Sequence, residues 1–250
     1  MIVVKTPQEL EIMREAGRIS ALALTAARAA AVPGASTADV DEAAETAIRE
    51  AGATPAFKGY GGFPATICAS INDQVVHGIP SKRVRLREGD VFSIDVGAIY
   101  HGYYGDNADT VAIGSIDHAS QVLIDRTREA LFAGIELCVP GNRLGDISAA
   151  IGAVAHAAGL GIVREYVGHG IGSSMHEDPN VPNFGRAGSG PVLKAGMVFA
   201  LEPMFNLGGD GVRLLDDGWT VVTVDGSRSA QIEHTVAITK DGPVIMTLDR

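Results

Sequence analysis

The spacing of apolar residues along the chain predicts alternating helical and extended regions. Four Ala-rich segments carry apolar residues at helical intervals, and Pro33-Gly34 and Pro140-Gly141 are stop signals between them. We therefore predict helices at residues 10–30, 37–51, 118–137 and 143–158. Thr6-Pro7-Gln8-Glu9 precedes the first helix and forms a capping box with proline at the first helical position.

One predicted β-hairpin carries acidic side chains that have no evident structural use. In residues 91–97 the strand period of two puts three apolar side chains on one face and Asp95 on the other. A tight turn centred between residues 100 and 101 would pair Asp95 directly with Asp106. Like charges opposite each other destabilise a sheet, and a cation between them would remove that cost. The alternative is an exposed hairpin whose two aspartates face water.

An internal repeat is the second regularity of the chain. Val32-Pro33-Gly34 recurs as Val139-Pro140-Gly141, an offset of 107 residues. His77-Gly78-Ile79 recurs as His169-Gly170-Ile171 with an offset of 92, so the two copies differ there by an insertion or deletion.

The repeat places metal-type side chains at equivalent positions, because the offset of 107 relates Asp95 to Glu202. We therefore expect a single catalytic domain with an internal duplication, its halves being roughly residues 1–115 and 116–250. The predicted fold class is α/β (α+β), with two pseudo-symmetric halves around a curved antiparallel sheet and a central site.

Composition and charge exclude several classes of protein. The net charge of −10 argues against a nucleic-acid binder, and the basic run Lys82–Arg87 alternates as a strand with solvated basic side chains. The polar N-terminal region is neither a signal peptide nor a membrane span. Cys68 and Cys138 cannot form a disulfide framework and are expected to be buried thiols, so we predict a cytoplasmic protein.

Five side chains in strand-like or Gly-rich stretches suit a metal site: Asp95, Asp106, His169, Glu202 and Glu233. Four carboxylates and one imidazole favour hard or borderline divalent ions over a thiolate-type zinc site. Two such ions would activate water for attack on a carbonyl, with Glu202 as general base and acid. We expect His176 to stabilise the oxyanion and His77 to contact the substrate backbone or leaving nitrogen. Structural or surface roles are expected for His101, His118, His156 and His234.

Several motifs together resemble type I methionine aminopeptidases over nearly the whole chain. They are Gly168-His169-Gly170-Ile171-Gly172, Leu201-Glu202-Pro203-Met204, Gly218-Trp219-Thr220, Ala230-Gln231-Ile232-Glu233-His234-Thr235 and the segment from Cys68 to Pro80. The resemblance implies the pita-bread fold and the removal of initiator methionine when the second residue is small. It also implies two divalent ions (Co, Mn, Fe or Zn): Asp95 would bind one, His169 and Glu202 the other, and Asp106 and Glu233 both.

The resemblance also extends to substrate-binding positions. His77 and His176 match substrate-facing histidines of that family, and the methionine pocket is expected to contain Phe63, Cys68, Met175 and Trp219. Met175 is a departure, because relatives often carry phenylalanine there. A monovalent cation is implied near Asn72 and Ser229, as in some relatives.

The expected substrates are peptides and nascent chains with N-terminal Met, through a monomer that contacts ribosomes transiently but no specific nucleic acid or membrane. A basic ribosome-contact loop cannot be carried over to residues 210–217, where Arg213 is the one basic residue. Two alternatives share the fold: a Xaa-Pro aminopeptidase or prolidase, and a non-catalytic binding relative.

Overall fold

Four α-helices form where the apolar spacing predicts them, so that part of the sequence prediction is confirmed. In the computed structural model, which describes residues 1–249, the helices are α1 (Pro7–Ala30), α2 (Thr37–Glu50), α3 (His118–Glu136) and α4 (Leu144–Ala158). The predicted capping box is present at the start of α1: Thr6 Oγ1 accepts from the Glu9 backbone N–H, and the Glu9 carboxylate accepts from the Thr6 N–H. These bonds satisfy donors that a helix start leaves free.

The rest of the described chain forms fifteen strands and one short 3₁₀ turn at Tyr60–Gly62. The strands are β1 (Thr54–Pro55), β2 (Ile67–Ile71), β3 (Gln74–Val76), β4 (Val91–Tyr100), β5 (Tyr103–Ala112), β6 (Gly161–Ile162), β7 (Gly168–Gly170), β8 (Glu177–Val181), β9 (Val198–Leu201), β10 (Met204–Asn206), β11 (Val212–Leu214), β12 (Val221–Thr223), β13 (Ser229–Gln231), β14 (Glu233–Thr239) and β15 (Gly242–Ile245).

The strands build one large curled sheet and two small ones. The large sheet has the order β1-β4-β5-β14-β9-β7-β8, with β2 added on β4 and β15 on β14. The small sheets have the orders β13-β10-β6 and β11-β12-β3. Strand pairs β4–β5 and β14–β9 are antiparallel, and β5 pairs with β14, which joins the N-terminal part of the sheet to its C-terminal part.

The register of the β4–β5 hairpin differs from the predicted one. Asp106 lies opposite Gly97 and Asp95 opposite Ala108, so the prediction that the two aspartates pair directly is wrong. The turn contains His101 and Gly102, both with positive φ (46° and 81°), as a tight two-residue turn requires. Glycine stands at 102, and the turn is therefore centred one residue later than predicted. The two aspartates remain on one sheet face as diagonal neighbours.

Local pairing recurs between the two copies of the repeat. The Gly34 N–H donates to the Leu86 carbonyl at 2.8 Å, and 107 residues later the Gly141 N–H donates to the Leu193 carbonyl at 3.1 Å. The isolated bridge between Ser36 and Arg85 likewise recurs between Arg143 and Val192. Equivalent segments therefore have equivalent hydrogen bonds.

Each helix pair covers its own part of the large sheet. Ile19 of α1 and Ile48 of α2 pack with Phe92 and Ile94 of β4 in one fully buried cluster. In another, α3 and α4 pack against β9 and β14. Full burial of such a side chain contributes about 1.5–3 kcal/mol. Because strand residues alternate between faces, this packing turns Asp95 to the opposite face of β4.

Both cysteines are buried and unpaired, as the sequence predicts. Within residues 1–249, none of the helices has the combination of length and apolar character that would let it cross a bilayer.

Candidate metal centre

All the predicted catalytic, metal-binding and pocket residues line one cavity of about 190 Å³. The predicted residues that line it are Phe63, Cys68, His77, Asp95, Asp106, His169, Met175, His176, Glu202, Trp219 and Glu233. Five further residues that the sequence reasoning did not select also line it: Phe57, Tyr60, Val76, Tyr166 and Val167.

The large sheet positions the five candidate metal ligands from five strands. Asp95 lies on β4, Asp106 on β5, His169 on β7 and Glu233 at the start of β14, while Glu202 directly follows β9. One ligand atom each from Asp106, His169 and Glu233 lie within 4.8 Å of one another. His169 Nε2 is 3.6 Å from Glu202 Oε1 and 4.0 Å from Asp106 Oδ2.

Three of the four carboxylates, those of Asp95, Asp106 and Glu233, are buried with one oxygen each that no described neighbour satisfies, and Glu202 is partly exposed. Asp95 Oδ1, Asp106 Oδ1 and Glu233 Oε1 have no hydrogen-bond partner among residues 1–249. Gln231 Nε2 donates to Glu202 Oε2 at 3.3 Å and to Asp95 Oδ2 at 3.5 Å. Buried anions with free oxygens are costly unless a cation is shared between them. The donor set therefore fits divalent metal ions.

Burial sets the protonation of this cluster when it holds no cation. It raises the pKa of Asp95 to about 7. Burial, together with repulsion from neighbouring carboxylates, raises the pKa of Asp106, Glu202 and Glu233 well above the usual range. The site thus holds protons that a divalent cation would displace.

Three hydrogen bonds to backbone groups orient candidate metal-site residues. His169 Nδ1 is 2.8 Å from the Gly170 carbonyl oxygen, and since a carbonyl only accepts, Nδ1 carries the proton. The Nε2 lone pair then faces the carboxylates, as a metal-ligating imidazole requires. Thr235 Oγ1 accepts from the Asp106 N–H at 3.0 Å and donates to the Asp106 carbonyl at 2.8 Å, which fixes that residue on β5.

Two further histidines enter the cavity beside the carboxylates. The His176 ring lies 4.3 Å from the His169 ring, centroid to centroid, and its Nδ1 is 2.9 Å from Tyr60 Oη. His77 has a positive φ of 59° and packs edge-to-face on Tyr166 at 5.5 Å. Burial lowers the pKa of His77 to about 4 and lowers the pKa of His176. Both imidazoles are therefore neutral near pH 7.

The remaining wall of the cavity is apolar. Phe63 and Trp219 pack edge-to-face with ring centroids 5.1 Å apart, and the Met175 side chain is buried beside them. Cys68 lies opposite Asp95 in the β2–β4 pair, and burial raises the pKa of its thiol well above the usual range. A Cβ at Gly97 would lie 3.2 Å from Met175 Cε and 2.9 Å from the Phe57 ring, so glycine gives this wall its room.

Other predicted residues lie away from the cavity. The Ser229 N–H donates to the Asn72 carbonyl at 2.8 Å, which brings together the two predicted monovalent-cation positions. The Asn72 amide donates to Asp90 Oδ1, and the Ser229 hydroxyl donates to the Phe205 carbonyl. The remaining histidines lie in the hairpin turn (His101), on α3 (His118), on α4 (His156) and on β14 facing Phe132 of α3 (His234).

Of the five lining residues that the sequence reasoning missed, Tyr60 had a visible signal. Its loop, Gly59-Tyr60-Gly61-Gly62, suggests close backbone approach to a site, but glycine content does not identify which side chain enters. Phe57 and Tyr166 carried no comparable pattern.

Residues 11–240 match the model of metallopeptidase family M24. A methionine aminopeptidase of Clostridium acetobutylicum is 54% identical over 248 residues, 99% of both chains. Methionine aminopeptidase 1 of Mycobacterium tuberculosis is 54% identical over 246 residues, 96% of this chain and 92% of that one. The crystal structure of methionine aminopeptidase from Thermotoga maritima matches 99% of both chains with a TM-score of 0.97 and 46% identity.

Prolidase from Pyrococcus horikoshii is more distant, with a TM-score of 0.79 and 25% identity, and this chain spans 65% of its length. The comparisons confirm the predicted pita-bread fold and favour the methionine aminopeptidase prediction over the Xaa-Pro alternative. The predicted need for divalent metal ions follows from membership of a metallopeptidase family. The chain therefore belongs to metallopeptidase family M24 and, within it, to the type I methionine aminopeptidases.

Proposed function

We propose that this enzyme removes the initiator methionine from peptides and nascent proteins whose second residue is small. The observation that carries the proposal is one cavity in which a carboxylate–histidine centre adjoins an apolar wall. A free N-terminal amine would sit among the acids while a thioether side chain packs against the rings. Relatives with 50–54% identity over most of the chain bear the name methionine aminopeptidase.

The proposed metal complement is two divalent ions, from among Co, Mn, Fe and Zn. Asp95 would hold one, His169 and Glu202 the other, and Asp106 and Glu233 both. Supporting this are the unpartnered carboxylate oxygens and the lone pair that His169 turns toward them. When bound, such ions lower the pKa of water and polarise a carbonyl oxygen.

Glu202 is the proposed general base and acid. Its side chain is 13% exposed, so it reaches the open part of the cavity. Gln231 holds Oε2, which leaves Oε1 to take a proton from the attacking water and return it to the departing amine. Burial and the nearby Asp95 raise the pKa of Glu202 in the metal-free protein, and bound divalent ions would restore the ionised carboxylate that can take a proton.

The two neutral histidines are the proposed hydrogen-bond donors to substrate. His176 would donate to the oxyanion that develops on the scissile carbonyl, and His77 to the substrate backbone or leaving nitrogen. The apolar wall of Phe63, Cys68 and Met175 excludes water, which strengthens these hydrogen bonds.

Turnover of a short peptide series tests the proposal. Purified enzyme with added Mn²⁺ or Co²⁺ is expected to cleave Met-Ala-Ser, with much slower cleavage of Leu-Ala-Ser and none of N-acetyl-Met-Ala-Ser. Ala-Pro discriminates the prolidase alternative. Equal rates on the Met and Leu peptides, or cleavage of the acetylated one, would contradict the proposed pocket and amine recognition.

We also propose that both halves, roughly 1–115 and 116–250, act as one catalytic domain, since each contributes ligands. The protein is proposed to be a cytoplasmic monomer. The backbone contact between Asn72 and Ser229 supports a monovalent cation near them.

Transient ribosome contact is a further part of the proposed function, and the exposed Lys82, Arg83, Arg85 and Arg87 support it. None of these four side chains forms a salt bridge to an acid within residues 1–249. The equivalent loop of the second half makes the same bridge with Val192 in place of Arg85, so the fold does not require the charge.

Ribosome co-sedimentation tests this contact. Arg83→Glu should weaken it, and Lys240→Glu, the same change of charge at an exposed position in the β14–β15 turn, is the matched control. Equal binding by all three proteins would rule out this loop.

A further inference from the structure

We propose that Tyr60 is a positioning residue that fixes the His176 ring in the tautomer with the proton on Nε2. This inference rests on the proposed role of His176 as a hydrogen-bond donor to the substrate. Tyr60 belongs to the 3₁₀ turn at the cavity rim and is not among the residues selected from sequence.

The hydrogen bond between the two side chains has a preferred direction. Tyr60 Oη and His176 Nδ1 are 2.9 Å apart, with the rings tilted by 42°. A neutral imidazole has one N–H and one lone-pair nitrogen, and the lone pair is a stronger acceptor than a phenol oxygen. A phenol O–H is in turn a stronger donor than a neutral imidazole N–H. Tyr60 therefore donates to Nδ1, and the imidazole proton is placed on Nε2.

The neighbouring histidine shows the opposite arrangement. His169 donates from Nδ1 to the Gly170 carbonyl and keeps a lone pair on Nε2, although its ring is only 4.3 Å from that of His176. A carbonyl partner thus prepares one ring to bind a cation, and a hydroxyl partner prepares the other to donate. Without the Tyr60 hydroxyl, His176 would also populate the tautomer that turns a lone pair toward the substrate oxygen, which repels developing negative charge.

The glycine-rich loop provides the geometry for this contact. Gly59, Gly61 and Gly62 all have positive φ (90°, 56° and 92°), which lets the chain make a tight turn with the Tyr60 side chain at the cavity. The Gly59 N–H donates to the Phe63 carbonyl at 2.8 Å, and the Phe63 ring packs on Trp219. The loop that presents the hydroxyl is therefore anchored to the apolar wall of the same cavity.

His77, the other substrate-facing histidine, has no such side-chain partner within residues 1–249. It contacts Tyr166 edge-to-face, with ring centroids 5.5 Å apart. The effect of the Tyr60 hydroxyl is therefore specific to one of the two substrate-facing histidines.

Nitrogen NMR of ¹⁵N-histidine-labelled protein tests the tautomer directly. Long-range ¹H–¹⁵N spectra are recorded for the metal-free protein and for protein loaded with diamagnetic Zn²⁺, and His176 is assigned by its loss in His176→Asn. The wild type should show the His176 proton on Nε2 alone. A wild-type spectrum with the His176 proton on Nδ1 would overturn the proposal, and this result does not depend on the folding of any variant.

The variant Tyr60→Phe keeps the ring and removes the hydroxyl. The His176 signals should shift toward a mixture of tautomers, and kcat on Met-Ala-Ser should fall roughly tenfold, less than the ~10²–10³-fold loss from deleting an oxyanion donor. KM should change less than kcat, because the hydrogen bond strengthens only as charge develops. Tyr100→Phe, in which the ring packs on His101 at the hairpin end, is the control and should match the wild type.

Two outcomes separate the inference from the function it rests on. If His176→Ala loses activity while Tyr60→Phe keeps wild-type spectra and kcat, the Tyr60 inference is wrong and the role of His176 stands. If His176→Ala, which has no hydrogen-bond donor, keeps full kcat, the role of His176 itself is wrong, and the inference fails with it.

Discussion

The two walls of the cavity differ in whether their buried groups are satisfied by their neighbours. On the apolar wall, Phe63, Met175 and Trp219 pack against each other as an ordinary core does. On the acidic wall, Asp106 and Glu233 are buried but keep oxygens without partners among the described residues. The first wall stabilises the fold by itself, whereas the second lowers the stability of the metal-free protein. The acidic wall lowers the stability of the metal-free fold, and a wall retained at such a cost points to function.

The largest expected effect comes from removing one charge from the acidic wall. Asp106→Asn keeps the side-chain size and should reduce activity to the level of metal-free enzyme. In the presence of chelator the same variant should be more stable than the wild type, because the amide avoids the cost of burying and protonating that carboxyl. Tm should rise by about 2–4 °C for each kcal/mol of cost avoided. Activity assays and thermal scans in EDTA measure both effects. A variant that is less stable than wild type in EDTA would show that the acidic wall is not destabilising.

Next in size is the loss of the proposed general base. Glu202→Gln should lower kcat by about 10²–10⁴-fold, because the amide cannot take or return a proton. Metal content measured by elemental analysis separates this effect from loss of metal. Normal turnover by a fully metal-loaded variant would remove Glu202 from the base role.

A change of pH should have a smaller effect on folding stability, and the direction of that effect should differ between the metal-free and the metal-bound protein. Asp95 has a folded pKa of about 7, whereas an unfolded carboxyl titrates near pH ~4, so the folded metal-free protein binds more protons between these values. Its stability should therefore fall as pH rises from about 4 to about 7 through Asp95 alone, and the raised pKa values of Asp106, Glu202 and Glu233 add to the fall in the same direction. Bound metal holds the carboxylates ionised and reverses the trend, with proton release on binding.

Thermal scans at pH 5, 6, 7 and 8, with and without metal, measure this dependence. Calorimetry in two buffers of different ionisation enthalpy measures the released protons. Parallel stability curves in the two sets of scans, with no proton release, would contradict the clustered-carboxylate interpretation.

Substitutions in the apolar wall should have the smallest effect, and that effect should appear in substrate selectivity. Met175→Leu conserves volume and should cost less than about 1.5 kcal/mol of stability. It changes the shape of the pocket, so the ratio of kcat/KM for Met-Ala-Ser over Leu-Ala-Ser should shift by about tenfold. Met246→Leu changes a buried methionine of the same core cluster that does not line the cavity, and its ratio should stay at the wild-type value. Equal shifts in both variants would mean that the cluster as a whole, not the pocket, sets the preference.

The walls also differ in how far they could be predicted from sequence. The acidic wall was predictable because Asp is disfavoured in strands, and the repeat placed Asp95 and Glu202 at equivalent positions. The exact register of β4–β5 could not be predicted, because it depends on which turn residues adopt positive φ. The sequence does not indicate that His101 is one of them. The face of the strand was nevertheless predicted correctly, since the observed register keeps both aspartates on one side.

Residues of the cavity rim were harder to predict, because loops bring them together. Tyr60 and His176 are 116 positions apart and meet through a glycine-rich turn whose direction no periodicity describes. His77 and Tyr166 meet in the same way. Periodicity determines which face of a strand is buried, but contacts between loops depend on tertiary packing.

The distribution of the proposed metal ligands along the chain has a consequence for dividing the protein. Asp95 and Asp106 precede the loop between β5 and α3, while His169, Glu202 and Glu233 follow it. A chain opened between Gly114 and Ile116 would leave each fragment with an incomplete ligand set. A divalent cation that binds residues of both fragments would stabilise their complex. Recovered peptidase activity would then report reassembly, which makes this fold a candidate for a metal-dependent split reporter.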